Sequence, residues 1–144
     1  MSMDFLPVLF VDTSYVLGLY NADDRAHKLC VEISKNIKKA DKLITTDAIL
    51  MEIGNTFSVV QKRQKGSKII RDFLKMKRMN VVHLSPEYFE ESLKLYEKRP
   101  DKEWGMVDCF SFVVMEKYNI KTALTLDHHF KQAGFTILTF GDCI

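Results

Sequence analysis

Val8-Leu-Phe-Val-Asp-Thr-Ser14 decides how this chain is read. The near-continuous apolar run Val8–Val11 suits a parallel strand covered on both faces, and an acid, Asp12, follows it at once. Three more acids stand in the same kind of frame: Ile49-Leu-Met-Glu52-Ile, Met106-Val-Asp108-Cys-Phe and Leu124-Thr-Leu-Asp127-His. A lone carboxylate in apolar surroundings is costly. A cluster of carboxylates becomes tolerable when a divalent cation neutralises it. The pattern reads as a metal site suited to cleaving a phosphodiester.

Outward from that strand, short apolar runs alternate with longer stretches of helical periodicity. Ala26, Leu29, Cys30, Ile33 and Ile37 fall at helical spacing and predict a helix over 24–39. Leu43-Ile-Thr45 is a brief strand, after which Thr46 or Asp47 caps a helix running to about Gln64. Gly66-Ser67 is expected to break that helix, with a second one over 68–78. A strand over 80–84 leads to Ser85-Pro86, which starts a helix with proline at its first position. The polar stretch 99–105 reads as a loop, followed by a helix over 107–118, a strand over 122–126, a short helix over 128–132 and a last strand over 135–140. Alternation on this scale predicts one three-layer α/β/α domain over 1–144, with right-handed crossovers and a central parallel sheet.

In such a sheet, ligands bind beyond the carboxyl ends of the strands, near the topological switch point. Asp12 and Asp127 each follow a strand, Glu52 lies on the early turns of its helix, and Asp108 opens its helix, where the dipole favours a carboxylate. All four can converge there. Magnesium and manganese are the expected ions, since they take oxygen donors. Such an ion polarises a phosphoryl oxygen and acidifies a bound water. Thr13 and Ser14 add hydroxyls beside Asp12, and Asn55 lies one turn from Glu52, so these three are expected to support the site.

These residues resemble a known family. Phe10-Val-Asp12-Thr-Ser14 looks like the opening of a PIN domain, and Asp24-Arg-Ala-His27 like the Asp-x-x-His after its first strand. Thr46-Asp-Ala-Ile-Leu-Met-Glu52-Ile-Gly-Asn55 is similar to the segment carrying the family's glutamate. The strongest match is Trp104-Gly-Met-Val-Asp108-Cys-Phe, continuing to Leu124-Thr-Leu-Asp127-His-His-Phe130. The resemblance covers essentially the whole chain. It implies a metal-dependent endoribonuclease of the VapC-like type, usually the toxin half of a toxin–antitoxin pair, with an RNA substrate, a cognate antitoxin and a homodimeric state. It makes Asp12 and Asp108 the direct ligands, with Glu52 and Asp127 acting directly or through waters. Many relatives carry Ser-x-Thr before the third acid, whereas Gly105 and Val107 stand here, so two polar contacts to Asp108 are expected to be missing.

Other features weigh less. Lys62, Arg63, Lys65, Lys68, Arg71, Lys75, Lys77 and Arg78 are opposed only by Asp72, a concentration suited either to RNA phosphates or to a solvated face. Lys62, Arg63, Lys68, Arg71 and Lys75 are the RNA-contact candidates. Adjacent helical residues diverge by roughly 100°, so His128 and His129 cannot both face one ion, and both are read as surface residues. His27 is read as a packing or hydrogen-bonding residue, and Trp104 as packing at the site rim or against a partner. Three cysteines without a Cys-x-x-Cys pair argue against a disulfide framework or zinc ribbon and for a reducing compartment. The opening Met-Ser-Met-Asp lacks a basic leader, and Phe5–Val11 is too short to span a bilayer, so no membrane association and a cytoplasmic location are expected. A formal net charge of +2 excludes nothing by itself.

Competing readings stay open. Haloacid-type phosphatases want Asp-x-Asp after the first strand, and Ser14 occupies the second position here. A structure-specific DNA nuclease, or a PIN-derived RNA- or protein-binding module with weak or lost catalysis, uses the same fold.

Overall fold

The computed structural model describes residues 8–37 and 42–138. Its centre is a five-stranded parallel sheet in the order β3-β2-β1-β4-β5, formed by β1 (Val8–Val11), β2 (Lys42–Thr46), β3 (Met79–Val82), β4 (Thr122–Leu124) and β5 (Thr136–Ile137). Leu9 pairs with Leu43 on one side and Thr122 on the other, so β1 is the middle strand. The chain first builds outward from β1 to β3, then returns to add β4 and β5 on the opposite side. The order reverses between β1 and β4, and the crevice beyond their carboxyl ends is the switch point of the sheet.

The crossovers are α1 (Thr13–Tyr20), α2 (His27–Asn36), α3 (Asp47–Thr56), α4 (Arg63–Lys75), α5 (Pro86–Lys98), α6 (Met106–Lys117) and α7 (His129–Gln132). Thr46 caps α3, its hydroxyl accepting the Ile49 amide at 3.2 Å. Ser85 caps α5 in the same way for Tyr88, at 3.1 Å, with Pro86 at the first helical position. The core centres on the sheet and on Phe10, Phe112 and Phe130, where α6 and α7 meet it. Phe112 sits edge-on to both Phe130 and Trp104, with ring centroids 5.0 Å apart in each pair.

The structure departs from the sequence reading in places. Helix α1 begins directly after Asp12, although Thr13–Tyr20 shows no clear polar face by which to read it. The helix expected to reach Gln64 stops at Thr56, and a 3₁₀ turn over Val60–Lys62 links it to α4. Gly66 does not break a helix. It lies inside α4, where a Cβ would come 2.7 Å from the Cβ of buried Phe57, so the missing side chain is what lets α4 approach so closely. Trp104, read as packing at the site rim or against a partner, lies in the loop before α6 and is buried, with its indole N–H donating to Gln132 Oε1 at 3.0 Å. His27 does hydrogen-bond, its Nδ1 lying 2.9 Å from the Gly18 carbonyl. Cys30 and Cys109 are free and buried; Cys143 and the end of the expected last strand, 139–140, lie outside the described residues. Among the described residues no helix is long and apolar enough to cross a membrane.

Candidate metal centre

The strand ends are fastened at the switch point: the Asp12 amide donates to the Leu124 carbonyl at 3.1 Å. Asp12 therefore leaves β1 beside the end of β4, and its side chain is 7 % exposed. Two hydroxyls donate to its Oδ2, Ser14 Oγ at 2.9 Å and Thr125 Oγ1 at 2.7 Å. Each hydroxyl in turn accepts an amide, Leu126 N–H to Ser14 at 2.9 Å and Asp127 N–H to Thr125 at 3.0 Å. Amide, hydroxyl and carboxylate form two short relays that end on one oxygen, which polarises every bond toward the negative charge.

Glu52, midway along α3, accepts a short hydrogen bond from Thr13 Oγ1, which binds α1 to α3 over 39 residues of sequence. Asp108 is the third residue of α6. Its Oδ2 accepts the Gly105 amide at 3.1 Å and lies 3.2 Å from His129 Nδ1. Asp127 Oδ1 accepts the His129 amide at 2.9 Å and lies 3.4 Å from the same Nδ1.

The acids lie near enough to act on one another's charge. Burial pushes the Asp12 carboxyl above its ordinary range; the Thr125 and Ser14 hydroxyls oppose that, and the charge of Asp108 adds to it. Burial also raises Glu52, the Thr13 hydroxyl opposes it, and the charges of Asp12, Asp108 and Asp127 all push upward. Glu52 thus feels each of the other three. Among the ion pairs of the described residues, only histidines meet any of these acids, at Asp108 and Asp127. Ligating atoms of Asp108, Asp127 and His129 lie within 4.8 Å of one another, a span that one cation bridges. Crowded carboxylates without a lysine or arginine to neutralise them are the donor set of a hard divalent ion.

A model of the PIN domain matches residues 9–136. The chain belongs to the PIN domain family. It is a VapC-like PIN domain: the 23S rRNA-specific endonuclease VapC20 of Mycobacterium tuberculosis is 26% identical over 130 residues, covering 89% of this chain and 95% of the relative. The crystal structure of that protein, described as a Sarcin-Ricin loop cleaving toxin, aligns with a TM-score of 0.78 over 91% of this chain and 98% of its own. VapBC2 from Rickettsia felis bound to a fragment of its promoter DNA, 14% identical, shares the fold at a TM-score of 0.67 over 91% of this chain and 97% of that one. VapBC-1 from nontypeable Haemophilus influenzae does so at 0.65, also with 14% identity, over 93% and 98%.

Within this PIN domain Thr13 and Ser14 hydrogen-bond Glu52 and Asp12, and the charges of Asp12, Asp108 and Asp127 all act on Glu52. Asn55, expected to support the site, is exposed, and among the described residues no hydrogen bond joins its side chain to an acid. Asp108 is not left bare despite Gly105 and Val107 before it: the Gly105 backbone amide and His129 both contact its Oδ2. His128 is a surface residue, 73% exposed, whereas His129 is 21% exposed and turned onto two acids, so the surface reading holds for only one of them. Thr125 was missed altogether. Its signal was a single hydroxyl between Leu124 and Leu126, on the strand end before Asp127.

Proposed function

We propose that this protein is a metal-dependent endoribonuclease and the toxin of a toxin–antitoxin pair, with Asp12, Glu52, Asp108 and Asp127 as its catalytic acids. The observation that carries the proposal is the meeting of these acids across the seam between β1 and β4, with Asp12 buried and its Oδ2 accepting two hydroxyls. A bound magnesium or manganese ion supplies a polarised phosphoryl oxygen and an acidified water. Asp12 and Asp108 are assigned as direct ligands, with Glu52 and Asp127 direct or through water.

The protein's own groups do the rest. Ser14 and Thr125 hold Asp12 Oδ2 and so fix the orientation of its carboxylate at the carboxyl edge of the sheet. Thr13 holds one Glu52 oxygen and frees the other to orient a water or accept its proton. Gly105 fixes Asp108, so that the acid need not reorganise when the ion and the RNA phosphate arrive. Lys62, Arg63, Lys68, Arg71 and Lys75 are all exposed, which suits phosphate contacts along an RNA backbone. Lys75 lies at the far end of α4, close to where the chain enters β3 at the amino edge, so it is assigned to binding and not to chemistry.

RNA as the substrate class is supported by the activity in the name of the M. tuberculosis relative. A cognate antitoxin is supported by the VapBC complexes among the solved neighbours. A homodimer and a cytoplasmic location complete the proposal. The deciding experiment compares growth arrest on expression, and cleavage of total RNA with and without chelator, for the parent and for Asp12→Asn. Arrest and metal-dependent cleavage by the parent, both lost in a folded Asp12→Asn, are expected. Full metal-dependent cleavage by Asp12→Asn, with contaminating nuclease excluded, refutes the assignment.

A further inference from the structure

We infer that His129 supplies a nitrogen ligand to the cation held by Asp108 and Asp127, and that this nitrogen turns the site toward manganese and away from magnesium. The inference rests on the nuclease reading and names the ion class of that same site.

The geometry is that of ligands gathered round one ion. Two donors about 2.1 Å from a common ion are separated by about 3.0 Å at a right angle and about 3.4 Å at the tetrahedral angle. His129 Nδ1 stands 3.2 Å from Asp108 Oδ2 and 3.4 Å from Asp127 Oδ1, both within that interval. A single ring N–H shared between the two oxygens makes only long contacts of 3.2 and 3.4 Å, whereas one cation satisfies all three atoms at once. The two oxygens are, moreover, already served from behind: the Gly105 amide reaches Asp108 Oδ2 at 3.1 Å and the His129 amide reaches Asp127 Oδ1 at 2.9 Å. Those amides aim the oxygens, in the way outer hydrogen bonds orient ligands in metal proteins.

The placement of the ring is built in. His129 opens α7 and its backbone is tied to Asp127, while Phe130, the next residue, is fully buried against Phe10 and Phe112. With Phe130 anchored inward, α7 has little freedom to rotate, and the imidazole stays over the acids. Its neighbour His128, lacking such a tie, is 73% exposed.

The chemistry then selects the ion. Magnesium demands oxygen donors and near-octahedral geometry, and gives up its waters reluctantly. Imidazole is a better donor to first-row transition ions than to magnesium, and manganese, the most oxygen-loving of them, is the one that still suits a site rich in carboxylates. A set of carboxylate oxygens from Asp12, Asp108 and Asp127 together with one nitrogen remains acceptable to manganese and is a poor match for magnesium.

The test uses the full chain loaded with Mn²⁺. Electron spin-echo spectra of the wild type are expected to show modulation from a directly bound ¹⁴N, absent in His129→Asn and His129→Gln. Calorimetric titration with MnCl₂ and with MgCl₂ is expected to give a manganese-over-magnesium preference that falls about tenfold or more in both variants, the scale on which shell residues change metal affinity. The wild-type spectrum decides the ligand assignment even if one variant fails to fold. Bound Mn²⁺ without nitrogen modulation, or an unchanged preference in folded variants, overturns the inference and leaves the nuclease reading standing. No bound metal in the wild type overturns both.

Discussion

Thr125 joins the two halves of the acid cluster: its buried hydroxyl donates to Asp12 Oδ2 at 2.7 Å and accepts the Asp127 amide at 3.0 Å. One side chain on the β4 edge thereby sets the position of the acid after β1 and the start of the turn that carries its counterpart after β4.

Thr125→Val keeps the shape and removes the hydroxyl. Asp12 then keeps Ser14 alone on that oxygen, and the Asp127 amide loses its acceptor. Hydrogen bonds to charged groups contribute about 1.5–3 kcal/mol each. Urea unfolding at pH 7 in EDTA is expected to show a loss of about 2 kcal/mol, and manganese affinity is expected to fall with it. An unchanged midpoint and affinity would show that Ser14 alone suffices.

The metal-free protein is expected to lose stability as pH rises. Asp12 and Glu52 both titrate above their ordinary range in the fold, chiefly through burial. Between the unfolded carboxyl value of about 4 and those raised values, the native state binds more protons than the unfolded chain, so the slope of stability against pH is negative. The contribution is fully present below that window and lost above it. Manganese should reverse the trend, because protons then compete with the ion. Thermal melts from pH 4 to 7, in EDTA and in MnCl₂, check both signs; a rising melting temperature in EDTA with no turn toward lower values would refute the first, once Asp12→Asn is compared to isolate the site.

Gly66→Ala sets two known effects against each other. Alanine improves helix propensity by about 1 kcal/mol. The new methyl would stand 2.7 Å from Phe57 Cβ, which belongs to a buried residue and cannot swing away. Overpacking of this kind costs about 1–3 kcal/mol. A net loss of about 1 kcal/mol is expected in chemical denaturation, and a more stable variant would mean that α4 shifts freely on α3.

Replacing Lys68, Arg71 and Lys75 with Ala tests the basic helix. The expected result is weaker binding across RNA sequences and a flatter salt dependence, by about one unit of slope per lost phosphate contact. Lys68 already pairs with Asp72 at 2.9 Å, so its share should be the smallest of the three. Binding equal to the parent at every salt concentration would reduce the helix to a solvated face.

Strand and helix order was legible because period and punctuation agree along most of the chain: Val8–Val11 reads as a covered strand, and Ser85-Pro86 as a helix start. Legibility failed where tertiary contact overrode a local rule. Gly66 reads as punctuation and is in truth a contact with Phe57, information that lies nine residues away and in three dimensions. The acids were legible singly, as polar residues in apolar frames. His129 was not, since adjacency to His128 says nothing about which ring turns inward; the burial of Phe130 settles that.

The seam between β1 and β4 also sets when the acid cluster can assemble. Its ties run over 112 residues from Ser14 to Leu126 and 113 from Asp12 to Thr125, so the centre is among the last parts of the molecule that chain closure can assemble. A folding chain that has only β1, β2 and β3 in register holds Asp12 and Glu52 but neither Asp108 nor Asp127. On the proposed assignment of the four acids, a nascent chain of that kind carries no cutting edge, and the centre is complete only after β4 and the start of α7 have docked.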